Sequence, residues 1–415
     1  MFSKPMFSDR TNWTLAQNRF TEALERVRSS GTKILDLTVS NPTRAGLEYD
    51  SAAILRSLGS PRAMDYDPQA KGLPEARQAV SGYYRAEHGI AALDRERIIL
   101  TASTSEGYSY IFRLLCNAGD ALLVPKPSYP LFEFLADLQD VKLLPYPLIY
   151  DHGWQIDFPS LEKAITPRTR GIVLVHPNNP TGSFVQAAEA GQLNALCRDR
   201  GLALIVDEVF LDYALSKDRM GTAAIGRPVG QGSTAVPLLP YASFAGNREV
   251  LTFTLSGLSK ISALPQMKVS WVVTSGPEVE VEAAMARLEV IADTYLSMNA
   301  PVQWAMPVLM QERKNIQRQL LDRVKKNLAE LDCQLAGQKS CERLDVAGGW
   351  YAVLRVPVTR SDEELAIELV REKSVLVHPG HFYDFPSDGY LVLSLITREQ
   401  EFRDGIGRVL EKLNN

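Results

Sequence analysis

Cysteine is scarce, at four in 415 residues, and Cys116, Cys197, Cys333 and Cys341 contain no C-x-x-C spacing. That excludes a zinc ribbon and a disulfide framework and leaves free thiols in a reducing compartment. Of five histidines only His378 and His381 stand close together. Pro379 and Gly380 between them make a turn and no third ligand is nearby, so a cleft-lining role is expected and no metal site. No run of about 18 apolar residues is present for a membrane span, and the N-terminal MFSKPMFSDRTNWTL has no signal-peptide core. A cytoplasmic protein is expected. Positive charge is not in excess either: Lys and Arg number 45 against 49 Asp and Glu, a net charge of −4. That argues against a nucleic-acid or anionic-membrane partner, so any bound anion must be held by a local site. Finally, no G-x-G-x-x-G follows a strand-like run and no G-x-x-x-x-G-K-[ST] occurs, which removes the usual nucleotide readings of a parallel sheet.

What is present is an ordinary globular composition, 45% apolar and 23% charged, in a chain long enough for two or three domains. From residue 97 onward short apolar runs alternate with helical stretches. RIILT, DALLV, GIVLV, LALIV, VLTFT and KVSWVV are the expected strands, and their near-continuous apolar character fits a parallel sheet covered on both faces. Helices are expected at SEGYSYIFRLLCNAGD, YPLFEFLADLQD and QAAEAGQLNALCRDRG, and a Gly-, Pro- and Ser-rich surface loop from Gly226 to Asn247. Beyond Pro277 the pattern changes to long helices, one of them the Pro-free stretch from about Val308 to Leu335. A compact α+β region follows, with strands at WYAVLRV, SVLVH and YLVLSL and a helix capped by Ser361.

Four segments each end an expected strand, the side on which open α/β sheets bind ligands. They are TASTSEG, HPNNPTG, DEVF and SGLSK. Singly, each reads as a helix cap, a turn, an acidic pair or a surface lysine. Together and in this order they resemble the class I and II aminotransferases, pyridoxal-phosphate enzymes of fold type I. YDPQAKGLPEAR at 66–77 and SGLSKISAL at 256–264 resemble further family stretches, and the resemblance runs from about Leu37 to the C-terminus.

The resemblance implies a central, mostly parallel seven-stranded sheet in a large domain at 48–298. A smaller, discontinuous α+β domain would be made of 1–47 and 299–415. It implies pyridoxal 5'-phosphate as cofactor and transfer of an amino group from an amino acid to a 2-oxo acid through a Lys260 aldimine. The residue types suit that chemistry. Lys260 offers the amine that holds the aldehyde and moves the α-proton, and Asp207 offers a carboxylate to keep the ring nitrogen protonated. Asn179 is placed on the phenolic oxygen and Tyr129 on the ring face. Ser103, Thr104 and Ser105, at a strand-to-helix turn, supply phosphate donors together with Ser256 and Lys268. In the family a tyrosine at the position of Tyr66 reaches the other subunit's phosphate, which implies a homodimer with shared sites.

The departures from the pattern concern hydrogen bonding and substrate. Phe210 stands where a tyrosine is usual, unless Tyr213 supplies the hydroxyl. Lys268 replaces the phosphate arginine, and Gln266 and Ser270 also differ. Val392 occupies the place of the arginine that grips the substrate carboxylate, and Arg398 lies roughly 20 Å of extended chain further on. Ser40 and Arg44 are candidate substrate residues. Two alternatives stay open: a pyridoxal-phosphate lyase eliminating a β- or γ-substituent, and a non-catalytic effector-binding domain of this fold.

Overall fold

The computed structural model describes residues 6–215 and 242–414. Of the expected loop, 226–241 lie outside the described residues, while Phe244–Gly246 form a 3-10 turn. The strands in chain order are Leu35–Asp36 (β1), Ile98–Thr101 (β2), Ala121–Lys126 (β3), Lys142–Tyr150 (β4), Trp154–Ile156 (β5), Thr169–Val175 (β6), Ala203–Asp207 (β7), Thr252–Gly257 (β8) and Ser270–Ser275 (β9). They continue with Glu342–Arg343 (β10), Tyr351–Arg355 (β11), Val375–Leu376 (β12), His378–Pro379 (β13) and Tyr390–Ser394 (β14).

The large sheet has the order β2-β9-β8-β7-β6-β3-β4-β5. Its seven principal strands pair in parallel from β4 through β3, β6 and β7 to β8, and β9 runs antiparallel between β8 and β2. The three-residue β5 extends it by a hairpin at one edge. Successive residues point to opposite faces. Leu122, Val124, Val173, Val175, Ile205, Phe253 and Leu255 accordingly enter one core cluster, and Leu123, Ile172, Leu174, Leu204 and Val206 enter the other. Each such side chain contributes on the order of 1.5–3 kcal/mol by leaving water.

Strand β4 was not among the expected runs because it contains Pro145 and Pro147. Both are of the same parity, and along residues 142–147 β4 pairs only with β3. Their missing N–H groups therefore face the unpaired side, where a strand tolerates proline.

A smaller domain is built on the antiparallel sheet β10-β11-β14-β13, with β1 paired in parallel to β12. Its core joins the two ends of the chain: Phe20 and Leu37 pack in one cluster with Val353, Leu393 and Phe402. Ser361 caps its helix as expected, its Oγ accepting from Glu364 N at 3.2 Å. The long helix runs Ala300–Leu335, 36 residues, or about 54 Å. It begins earlier than the Pro-free stretch suggested, because Asn299 caps it, accepting from Val302 N at 3.2 Å, and Pro301 sits in the first turn where no N–H is needed. Pro307 lies inside and costs one backbone bond. Val302, Ala305, Met306 and Leu309 pack in a cluster with the large sheet, whereas Ile316, Leu320, Val324 and Leu331 pack in the small domain. No helix among the described residues is long and apolar enough to cross a membrane.

Candidate active site

The carboxyl ends of β2, β6, β7 and β8 carry the four singled-out segments. After β8 the chain turns at Gly257, where a Cβ would lie 2.3 Å from Ser270 Oγ, into the one-turn helix Leu258–Ile261. That turn drives Lys260 inward. Its Nζ lies 4.8 Å from the Trp350 ring centre and 5.3 Å from that of Phe210. Burial pulls the amine down to a pKa of about 8, against the pull of Asp207. Asp207, at the end of β7, accepts from Val209 N and from Tyr108 Oη, each at 3.1 Å. Burial lifts its pKa to about 6; the two hydrogen bonds and Lys260 hold it back.

The lowered lysine has a stability cost with a definite sign. Because folding depresses its pKa from 10.5 to about 8, the unfolded chain binds the proton more tightly, and the penalty is full below pH 8 and vanishes above 10.5. Lys260→Met should therefore stabilise the cofactor-free protein by about 3 kcal/mol at pH 7, and the gap to wild type should close as pH rises toward 10.5. Urea unfolding across that range measures it.

The HPNNPTG loop after β6 divides its two asparagines between structure and site. Asn178 Nδ2 donates to Pro127 O and to Thr181 Oγ1, both at 3.0 Å, fastening the loop to KPSYP. Asn179 makes no hydrogen bond among the described residues, and its Oδ1 is sealed without a partner. In KPSYP, Tyr129 is close enough to Asp207 for that carboxylate, after burial, to raise its pKa. Gly182, at φ +68°, is where the chain passes closest to 346–349: a Cβ would lie 2.4 Å from Val346 Cγ2 and 2.5 Å from Gly348 O. Ala347 N donates to Gly182 O at 3.2 Å and Gly349 N to Tyr213 O at 2.9 Å. This clamp sets Trp350 and Tyr351 against Phe210, at 5.2 and 6.2 Å between ring centres.

At the end of β2, Ser103 caps the helix Thr104–Leu115, its Oγ accepting from Glu106 N at 3.1 Å. Glu106 Oε2 accepts from Ala102 N at 2.7 Å and Ser297 Oγ at 3.0 Å. The N–H groups of Thr104 and Ser105 have no acceptor among the described residues, so the helix N-terminus can still receive an anion. Ser256 is buried, with Oγ 3.5 Å from Glu208 O. Lys268 is exposed in a left-handed turn. Tyr66 is 82% exposed and lines a 400 Å³ cleft with Arg62, Gln69, Trp304 and the same Ser297 that meets Glu106.

The hydroxyl that Phe210 lacks is not restored by Tyr213, whose Oη donates to Lys260 O at 2.6 Å. Val392 is buried in β14. The chain does fold back after that strand: Arg398 lies on Gly46, whose Cβ would sit 3.2 Å from its Nε, beside the turn holding Arg44. Both arginines are exposed and neither has an ion pair among the described residues. Ser40 follows Val39, whose carbonyl accepts from Ser394 Oγ at 2.5 Å, so it lies along β14. Tyr108, Trp350, Tyr351 and Tyr383 were not foreseen. Only Tyr108 carried a signal, being four residues after Thr104 and hence on the same helix face.

The donor set suits pyridoxal 5'-phosphate. A half-buried amine of lowered pKa, a buried carboxylate, an asparagine whose amide Nδ2 has no acceptor among the described residues and an open helix N-terminus match an aldehyde, a ring nitrogen, a phenolic oxygen and a phosphate.

The comparisons agree. A family model described as aminotransferase class I and II matches residues 32–401. Glutamate-pyruvate aminotransferase AlaA of Escherichia coli K12 is 27% identical over 384 residues, covering 89% of this chain and 88% of that protein. Alanine aminotransferase of Mycobacterium tuberculosis H37Rv is 27% identical over 406 residues, covering 92% and 86%. Among solved structures, an Escherichia coli aminotransferase superposes with a TM-score of 0.83 at 23% identity, covering 100% of this chain and 99% of that one. Alanine aminotransferase from Pyrococcus furiosus does so with 0.83 at 20%, covering 98% and 99%.

Proposed function

Because the chain belongs to the class I and II aminotransferases, and is thus a pyridoxal-phosphate-dependent enzyme moving amino groups between amino acids and 2-oxo acids, we propose that Lys260 and Asp207 are its catalytic residues. The observation that carries this reading is a half-buried lysine, its amine of lowered pKa set against the rings of Trp350 and Phe210, within electrostatic reach of the buried Asp207 carboxylate.

Bound here, the cofactor supplies an aldehyde that accepts amino groups and a ring that takes up electrons. The protein does the rest. Lys260 Nζ would hold the aldehyde carbon and, as a free amine, would take the proton from the substrate α-carbon and give one back. A pKa of about 8 keeps a useful fraction of it neutral. Asp207 keeps a proton on the ring nitrogen, since a cation set against it favours its charged form. Asn179 would donate to the phenolic oxygen, Tyr129 would cover the ring, and Ser103, Thr104, Ser105, Ser256 and Lys268 would receive the phosphate. With Phe210 and an engaged Tyr213, the phenolic oxygen depends on Asn179 alone among the proposed donors.

Tyr108 acts on the ring through Asp207. Its hydrogen bond lowers the pKa of that carboxylate, so Tyr108→Phe should raise it. The acid limb of the kcat/KM profile is expected to move up by less than about one pH unit, with a rate loss of roughly three- to tenfold, the net worth of one ordinary hydrogen bond of about 0.5–1.5 kcal/mol. A pH–rate series on the two proteins checks it.

The division into 48–298 and 1–47 with 299–415 is proposed on the joint packing of the chain ends. Ser40 and Arg44 are proposed on the substrate side. Tyr66, exposed beside the phosphate helix, supports a homodimer in which each subunit completes its partner's site. The cytoplasm is proposed from the scarcity of cysteine. Nothing at the site favours elimination over transfer. The names of the relatives make L-glutamate with pyruvate, and L-alanine with 2-oxoglutarate, the first pairs to test. The direct test is a screen of amino acids, one at a time, for loss of the visible band of the yellow enzyme; the reading fails if no amino acid changes it.

A further inference from the structure

In the smaller sheet Val353, Val392 and His378 lie opposite one another across β11, β14 and β13, so their side chains share one face. Tyr351, two residues before Val353, is on the same face. Its ring meets Phe210 at 6.2 Å and Tyr383 at 6.5 Å. That face therefore looks onto the aromatic pocket around Lys260. Val392, the position of the expected carboxylate arginine, offers no donor, but its cross-strand neighbour does. His378 Nδ1 lies 3.0 Å from Tyr383 Oη. The Tyr383 carbonyl accepts from Ser128 N at 2.9 Å, the residue before Tyr129, which fixes this pair at the cofactor side. His378 Nε2 makes no hydrogen bond among the described residues and is not one of the sealed polar atoms. Lys126, the cation at the end of β3, is taken up by Asp384 at 3.3 Å and Glu133 at 3.9 Å.

We propose that His378, held in place by Tyr383, receives the carboxylate of the amino-acid substrate in place of an arginine at position 392. The proposal rests on the aminotransferase reading above. Burial lowers the pKa of His378 against the pull of Asp36, which favours the neutral ring. In the tautomer that this role uses, Tyr383 Oη donates to Nδ1 and the ring proton sits on Nε2, ready for an acceptor. A neutral single donor binds a carboxylate less tightly than a bidentate guanidinium, and arginine built at 392 should bind it better.

The probe is propionate, titrated into the yellow holoenzyme and followed by calorimetry and by the visible band. His378→Ala is expected to weaken binding at least tenfold and Tyr383→Phe at least threefold. His378→Gln, which keeps an N–H donor, should recover to within about threefold of wild type. Val392→Arg added to His378→Ala should restore binding. The proposal is overturned if wild type shows no propionate binding, or if His378→Ala and Tyr383→Phe both bind within twofold of wild type. It is equally overturned if Arg44→Ala loses binding while the His378 variants keep it. Should His378→Ala not fold, Tyr383→Phe alone decides, an unchanged affinity overturning the proposal. Failure of the aminotransferase reading is separately visible: amino acids would then leave the visible band of wild type unchanged, whatever propionate does.

Discussion

Lys260→Ala is expected to retain pyridoxal 5'-phosphate through its phosphate and ring contacts yet to transfer amino groups at least about 10⁴-fold more slowly than wild type. The magnitude is the upper end of what a positioned proton-transfer group contributes, and here the same nitrogen also holds the aldehyde. Neither Lys268 nor Lys126 can substitute. Lys268 is exposed and Lys126 is paired with Asp384, whereas Lys260 is enclosed by Trp350 and Phe210 with Asp207 in electrostatic reach. Single-turnover measurement with L-glutamate, alongside cofactor content by absorbance, separates lost chemistry from lost binding. A variant that keeps more than a hundredth of the wild-type rate would remove Lys260 from the proton path.

Asp207→Asn comes next in size. The carboxylate is buried and held by Val209 N and Tyr108 Oη, so the amide keeps the shape and discards the charge. Without a negative partner the ring nitrogen loses its proton and the ring takes up electrons poorly. A fall in kcat/KM of about 10³-fold is expected, about 4 kcal/mol. Removing a buried carboxylate whose pKa has risen to about 6 also relieves a desolvation cost, so the variant should fold no less stably than wild type above pH 6. A fall under tenfold would mean the ring nitrogen is served by another group.

How much of this was legible in the sequence follows from what each feature depends on. The strands of the large sheet were visible because both faces are buried, which writes a continuous apolar run; β4 was hidden by two prolines that only an open edge explains. The four strand-end segments could be read because turns and caps have local chemistry. The pairing of Tyr108 with Asp207, the clamp of Gly182 on Gly348 and the register placing His378 beside Val392 join residues far apart in the chain, and no local pattern announces them. The spent hydroxyl of Tyr213 belongs with these: whether it reached the cofactor or the Lys260 carbonyl depended on packing against Trp350.

The mechanism proposed above requires that one lysine, Lys260, carry the cofactor. Reduction of the yellow holoenzyme with borohydride, digestion and mass measurement of the peptides tests it most directly. A single pyridoxyl-phosphate adduct is expected, on the peptide containing Lys260. An adduct on Lys268 or any other lysine, or a protein that takes up no pyridoxal 5'-phosphate, would contradict it.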